Sequence, residues 1–243
     1  LLESRGLGDV YKRQASSALA WLAEQDEIEW MEEKMWAELQ NDVADTILKA
    51  DDLWDQTIVN GINSSWNSVD GTGIIVTVAD TGLDSGTNDS TMHADFRDHI
   101  VDVVSWGMSA SEASTCGSPA DDGADDINGH GTHVAGSVLG DGTNSSGNIK
   151  GIAPEARLYF QAIGVYCNSA GKDTLLGLPS DFTQLFKAGA ENGSRVHTNS
   201  WGSNVDGEYT IGSMQADSSA RDYTNMTILF AAANEGCLLY TSD

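Results

Sequence analysis

Three short segments carry residue types suited to chemistry. VTVADTGLDSG places Asp80 at the end of a run rich in β-branched residues. In open α/β sheets, reactive groups gather at the carboxyl ends of strands. An aspartate there can hold a histidine in one tautomer and stabilise its charged form, or simply cap the next turn. NGHGTHVAGSVLG places His130 at the start of a helix, between Gly129 and Gly131. Those glycines let the backbone come close to another chain or a substrate. A helix N-terminus disfavours the imidazolium, so His130 is expected to rest neutral and ready to accept a proton. His133 follows three residues later. A zinc pair at that spacing needs further ligands, and no third cluster of Cys, Glu or His follows, so His133 reads as a packed, supporting histidine. ILFAAANEG delivers Asn234 into a turn closed by Gly236. Its amide can donate to a developing oxyanion, worth about 10²–10³ in rate, or it can be an ordinary turn asparagine.

These residues need a scaffold, and the pattern around them supplies one. GIIVTVAD is a continuous apolar run, as expected of a strand buried on both faces. HGTHVAGSVLG reads as a helix closed by Gly140, and ARLYFQAI as a strand. PSDFTQLFKAGAENG is a helix, with Asp181 near its start and Gly193 after its end. VHTNSWG is a strand, SSARDYTNM a helix and TILFAAAN a strand. Strands alternate with helices, which predicts an α/β fold: a doubly wound, mainly parallel sheet with helices on both faces. Upstream, ASSALAWLAEQ (15–25) has helical spacing and EIEWME (27–32) alternates with a strand period. EKMWAELQNDVADTIL turns helical again, and a Gly/Asn/Ser-rich linker covers 60–73.

The chain has 243 residues, enough for one substantial domain with a core. No run of 18 apolar residues occurs, as a spanning helix would need. Asp plus Glu number 37 against 12 Lys plus Arg, a net charge of −25. That field repels nucleic acid and anionic membranes, so neither is an expected partner. It suits a protein from a salty setting, or an acidic secreted protein with bound calcium. Three cysteines, Cys116, Cys167 and Cys237, are too few for a disulfide scaffold, and no CxxC pair points to zinc.

In their order, DTG after an apolar strand, HGTHVAG at a helix start and AAANEG at a strand end resemble the subtilisin-type serine proteases. The likeness is nearest to the oxidatively stable alkaline protease branch. It is carried by DTGLDSGTNDSTMHADFR, NGHGTHVAGSVLG, GLPSDFTQLF, HTNSWG and MTILFAAANEG, within residues 41–236. The resemblance implies a secreted serine endopeptidase acting on peptide or protein substrates. Asp80 would orient the histidine, His130 would be the general base and Asn234 the oxyanion donor. Ser200, Trp201 and Gly202 would line the primary specificity pocket. Leu175, Leu176 and Gly177 would form the edge strand on which an extended peptide pairs. The family's nucleophile lies in a GTSMA-type motif beyond Asn234, and no GTS stretch occurs in this sequence. The chain as written is therefore expected not to hydrolyse peptides by the triad.

The same resemblance organises the rest. LLESRGLGDVYKRQ (1–14) and CLLYTSD (237–243) resemble translated sequencing adapters and are expected to be non-native, Cys237 included. Residues 15–40 would be the tail of an inhibitory propeptide, with EIEWMEEKMWAELQ leading through the cleft and self-cleavage near Gln40–Asn41. Residues 41–236 would begin the catalytic domain. The protein is expected to be extracellular, its signal peptide outside this sequence. Cys116 and Cys167 are disulfide candidates for an exported protease. Calcium is common in the family. Asp141 and Asn144, or Asp121, Asp122, Asp125 and Asp126, offer hard oxygen ligands. No EF-hand spacing appears, so no metal site is assigned and each reads rather as an exposed acidic loop.

Two other readings stand beside this one. A DTG after apolar residues also marks aspartic proteases, which are all-β and pair two aspartates. A subtilase-like domain without its serine would serve as a binding or adhesion module.

Overall fold

The computed structural model describes residues 2–4, 21, 25, 28–31, 44–54, 69–108, 116, 123–167, 172–203, 205 and 207–232. The chain divides into two compact units, Leu1–Gln40 and Asn41–Asp243. In the first, β1 (Leu2–Ser4) pairs antiparallel with β2 (Ile28–Met31), Leu2 opposite Met31. The alternating EIEWME segment forms the strand its period predicts. Leu2–Ser4 lies in a stretch without strand period, because three residues are too few for alternation to register. Of the helix expected over 15–25, only Trp21 and Gln25 are described, joined by a 2.9 Å bond from Gln25 Nε2 to the Trp21 carbonyl.

The second unit opens with two short helices, α1 (Ala44–Leu48) and α2 (Asp51–Trp54), separated by Lys49 at φ 59°. Then follow β3 (Ile75–Asp80), β4 (Ile100–Ser105), α3 (His130–Leu139) and β5 (Arg157–Ala162). A small antiparallel hairpin comes next, β6 (Val165–Cys167) with β7 (Lys172–Thr174). The unit continues with α4 (Thr183–Glu191), β8 (Val196–Asn199), α5 (Ile211–Asp222) and β9 (Thr227–Phe230).

The central sheet runs β4-β5-β3-β8-β9, and each adjacent pair is parallel. Its two faces follow from strand alternation. Val76 and Val78 of β3, with Leu158 and Phe160 of β5, join Ala135 and Leu139 of α3 in the main core cluster. The intervening residues meet α4 instead. Gln161 Nε2 donates to the Leu185 carbonyl at 3.0 Å. His197, fully buried on β8, sits edge-on to Phe186 with ring centroids 5.0 Å apart. The sheet is thus doubly wound, with α3 on one face and α4 on the other. This parallel architecture excludes the all-β aspartic protease reading.

Two elements depart from expectation. β4 has no counterpart among the expected strands. It is an edge strand whose Ile100 alone is buried and whose Asp102 is exposed, so its apolar signal is weak. α5 begins seven residues before the SSARDYTNM segment (Ser218) and ends at Asp222. A capping box sets that start: Thr210 Oγ1 accepts from the Ser213 N–H at 3.4 Å, and Ser213 Oγ accepts from the Thr210 N–H at 3.3 Å.

Candidate active site

β3 ends on Asp80, whose carboxylate is 2% exposed. Its Oδ1 accepts from the Thr81 N–H at 2.8 Å and from His130 Nδ1 at 2.6 Å. A carboxylate only accepts, so Nδ1 carries a proton, and in the neutral imidazole Nε2 is then the acceptor. The His130 side chain is 49% exposed, so this pair has one buried end and one solvent-facing end. That is the geometry of a base held by its orienter. Among the described residues, no serine or cysteine hydrogen-bonds His130 Nε2.

The approach of α3 to the strand end depends on glycine. A Cβ at Gly131 would lie 2.3 Å from the Gly82 carbonyl oxygen and 3.1 Å from Asp80 Cβ. No other residue lets the first turn of α3 rest on the segment that follows Asp80. Asn128 Oδ1 accepts from the His130 N–H at 3.2 Å.

His130 faces a cleft of about 260 Å³, whose walls include Asp80, Asn128, Leu175, Ser200 and Trp201. Trp201 is fixed from beneath: its Nε1 donates to the Ala79 carbonyl at 3.0 Å. Phe182 and Phe230 pack edge-on to its ring at 5.4 and 5.2 Å. The carboxyl ends of β3 and β8 therefore meet at one cleft, as a parallel sheet requires.

The other expected cleft residues are placed differently. Gly202 is exposed in open space and does not line the cleft. Leu176 packs against the cluster of Cys116, Val165 and Cys167. Gly177 is buried, its N–H donates to the Ile163 carbonyl at 3.0 Å, and a Cβ there would meet the Trp106 carbonyl oxygen at 2.1 Å. Residues 175–177 enter a turn rather than a strand; strand pairing stops at Thr174 because Gly177 is pressed onto the backbone below it. Cys116 and Cys167 form a disulfide, tying the segment before α3 to the hairpin that leads into Leu175. Asn234, Cys237, Asp121 and Asp122 lie outside the described residues.

Two of the carboxylates considered for calcium, Asp141 and Asp126, accept hydrogen bonds within the chain. Asp141 Oδ1 accepts from the Thr143 N–H at 2.7 Å and Oδ2 from Thr143 Oγ1 at 2.9 Å, closing the turn that contains Asn144. Asp126 accepts four hydrogen bonds and is half-buried, so it is not an exposed loop acid. Among the described residues, no group of three or more His, Cys, Asp or Glu side chains is arranged to hold a metal ion. Sequence reasoning missed Asn128 and Asp126 as partners of the α3 start. The signal available was Asx residues just before a helix, where such side chains cap.

The chain matches the profile of the subtilase family over residues 71–242. It is 28% identical to the serine protease/ABC transporter B family protein tagB of Dictyostelium discoideum over 226 residues, 88% of this chain and 11% of that one. It is 38% identical to the serine protease AprX of Bacillus subtilis over 106 residues, 43% of this chain and 19% of that one. Among solved structures, a protease of Pseudoalteromonas arctica aligns with a TM-score of 0.48 and 23% identity, covering 76% of this chain and 57% of that one. The chain thus spans about a tenth to a fifth of the curated relatives' length. Other matched relatives are named as intracellular and as extracellular proteases, so the family alone fixes no compartment. Taken with the doubly wound parallel sheet, the family match means that this chain belongs to the subtilase family of subtilisin-like serine proteases.

Proposed function

We propose that this chain carries the acid–base half of a serine endopeptidase active site. The 2.6 Å bond from His130 Nδ1 to the buried Asp80, beside an open cleft, supports this most directly. Asp80 holds the imidazole with Nε2 free, and Nε2 takes the proton of a serine hydroxyl as that oxygen attacks the peptide carbonyl. His130 then returns the proton to the leaving amine. The side-chain amide of Asn234 donates to the oxyanion. β9 runs parallel to β8 and ends on the same carboxyl edge four residues before Asn234, which favours that role. The family's nucleophile sits in a GTSMA-type motif that this sequence does not contain, so the 243 residues alone are not expected to hydrolyse peptides by the triad.

Leu175, Ser200 and Trp201, which line the cleft beside His130, receive the substrate. The Cys116–Cys167 disulfide favours export into an oxidising compartment. Residues 15–40 are the tail of an inhibitory propeptide removed near Gln40–Asn41, the boundary between the two compact units. N-terminal sequencing of the mature protein is expected to start near Asn41; a start far from it removes the propeptide assignment.

The test of the activity is hydrolysis of an unstructured protein such as casein by the complete gene product. The account expects turnover that is lost in His130→Ala and Asp80→Asn. Turnover that survives both substitutions refutes the assignment of the pair. No turnover in the complete wild-type protein favours the binding-module reading.

A further inference from the structure

The acid four residues before His130 is neither a loop carboxylate nor a cation ligand. Asp126 Oδ1 accepts from Thr81 Oγ1 at 2.8 Å and from the Gly129 N–H at 2.9 Å. Its Oδ2 accepts from the Thr132 N–H at 2.8 Å and from Thr132 Oγ1 at 2.6 Å. Four donors occupy the lone-pair sites of a carboxylate, so none remains for a metal.

The donors come from both sides of the Asp80–His130 pair. Thr81 directly follows Asp80, while Gly129 and Thr132 flank His130. Thr81 Oγ1 also accepts from the Gly131 N–H at 2.9 Å, and Thr132 Oγ1 from the Asp84 N–H at 2.8 Å. The Asp126 N–H donates to the Asp84 carbonyl at 2.9 Å. Capping α3 requires only the bonds from Gly129 and Thr132. The bond to Thr81, 45 residues away in sequence, is one that capping does not require. Bonds to a carboxylate are roughly twice as strong as neutral ones, so this is a stiff link.

We propose that Asp126 is a positioning residue that locks the strand end bearing Asp80 to the helix start bearing His130. It thereby keeps Nδ1 on Asp80 and Nε2 aimed into the cleft. The inference rests on the reading of Asp80 and His130 as the acid–base pair. Asp126 touches no reacting atom and acts through the geometry of its neighbours.

The test is the tautomer of His130 in the 243-residue chain, labelled with ¹⁵N at histidine and assigned by loss of the signal in His130→Gln. Wild type is expected to populate the Nδ1–H form, with a proton protected from water. Asp126→Asn removes the charge and turns an amide toward donors; loss of the protected Nδ1–H signal is expected while circular dichroism stays unchanged. Asp125→Asn changes the net charge equally and is expected to keep the signal. A folded Asp126→Asn that keeps a wild-type Nδ1–H signal overturns the proposal and leaves Asp126 a mere cap. Should Asp126→Asn fail to fold, Thr81→Val decides: it deletes the cross-link to Asp126 together with the bond that Oγ1 accepts from the Gly131 N–H, and leaves the bonds of Asp126 from Gly129 and Thr132, so loss supports the proposal and retention overturns it. If wild type populates the Nε2–H form and Asp80→Asn changes nothing, the pair itself is misread and the proposal falls with it.

Discussion

Two alanine substitutions on either side of His130 separate fold stability from site geometry. At Gly131 a Cβ would lie 2.3 Å from the Gly82 carbonyl oxygen, whereas real contacts need about 3.0 Å or more. The first turn of α3 must therefore retreat by about 0.7 Å or more, and His130 moves with it. Added to the 2.6 Å Asp80–His130 bond, that gives about 3.3 Å or more, near the limit of hydrogen bonding. Overpacking of this kind costs about 1–3 kcal/mol. At Gly129 the φ of 89° makes an alanine strained, but nothing lies within 4 Å of its Cβ. That strain costs about 1–2 kcal/mol and leaves the pair in place. Both variants are expected to lose several degrees of melting temperature. In the complete gene product, only Gly131→Ala is expected to lose turnover heavily, by about 100-fold with KM little changed. Equal turnover in the two variants would refute the close approach of α3 to the Asp80 strand end as the determinant of the site.

Other perturbations read other parts of the structure. Burial pushes the His197 imidazole down from 6.5 to about 4, weakly opposed by the Leu185 carbonyl. The unfolded chain then binds more protons between those values, so stability is level above pH 6.5 and falls as pH drops toward 4. Between pH 7 and pH 5 the loss from this group is about 2 kcal/mol. Urea unfolding of His197→Leu should lack that component; an identical pH dependence in both proteins would count against it. The Cys116–Cys167 bond joins residues 51 apart, and chain entropy gives it about 4 kcal/mol at most. Cys167→Ala should lower the urea midpoint, whereas no change, with the wild-type bond shown to be oxidised, would remove its structural role. Trp201→Phe deletes the indole bond to the Ala79 carbonyl, costing about 0.5–1.5 kcal/mol. Thermal unfolding measures this cost, and an unchanged midpoint would mean that the indole bond does not anchor the cleft wall.

The sequence announces the buried parts of this unit clearly. The run ending in Asp80 is read correctly because both its faces are covered, leaving no polar position to blur the strand. α3 and α4 are legible from their apolar spacing and from Gly140 and Gly193 at their ends. The edge strand β4 is hidden because only Ile100 is buried, and α5 starts early because Thr210 and Ser213 cap each other, a pairing that hydrophobic spacing does not reveal. For the site, the residue types of Asp80 and His130 point to their pairing. The work of Asp126 is invisible in sequence, since it depends on Thr81 arriving from 45 residues away. The turn at 175–177 is likewise set by the backbone beneath Gly177, not by local propensity.

The central claim is that Asp80 and His130 activate a serine. Labelling of the complete gene product by a fluorophosphonate tests it most directly, because that probe reacts only with an activated hydroxyl. The account predicts one labelled serine downstream of Asn234, with labelling abolished in His130→Ala and strongly reduced in Asp80→Asn. Absence of any labelled serine in the folded wild-type protein, or labelling indifferent to both substitutions, would contradict it.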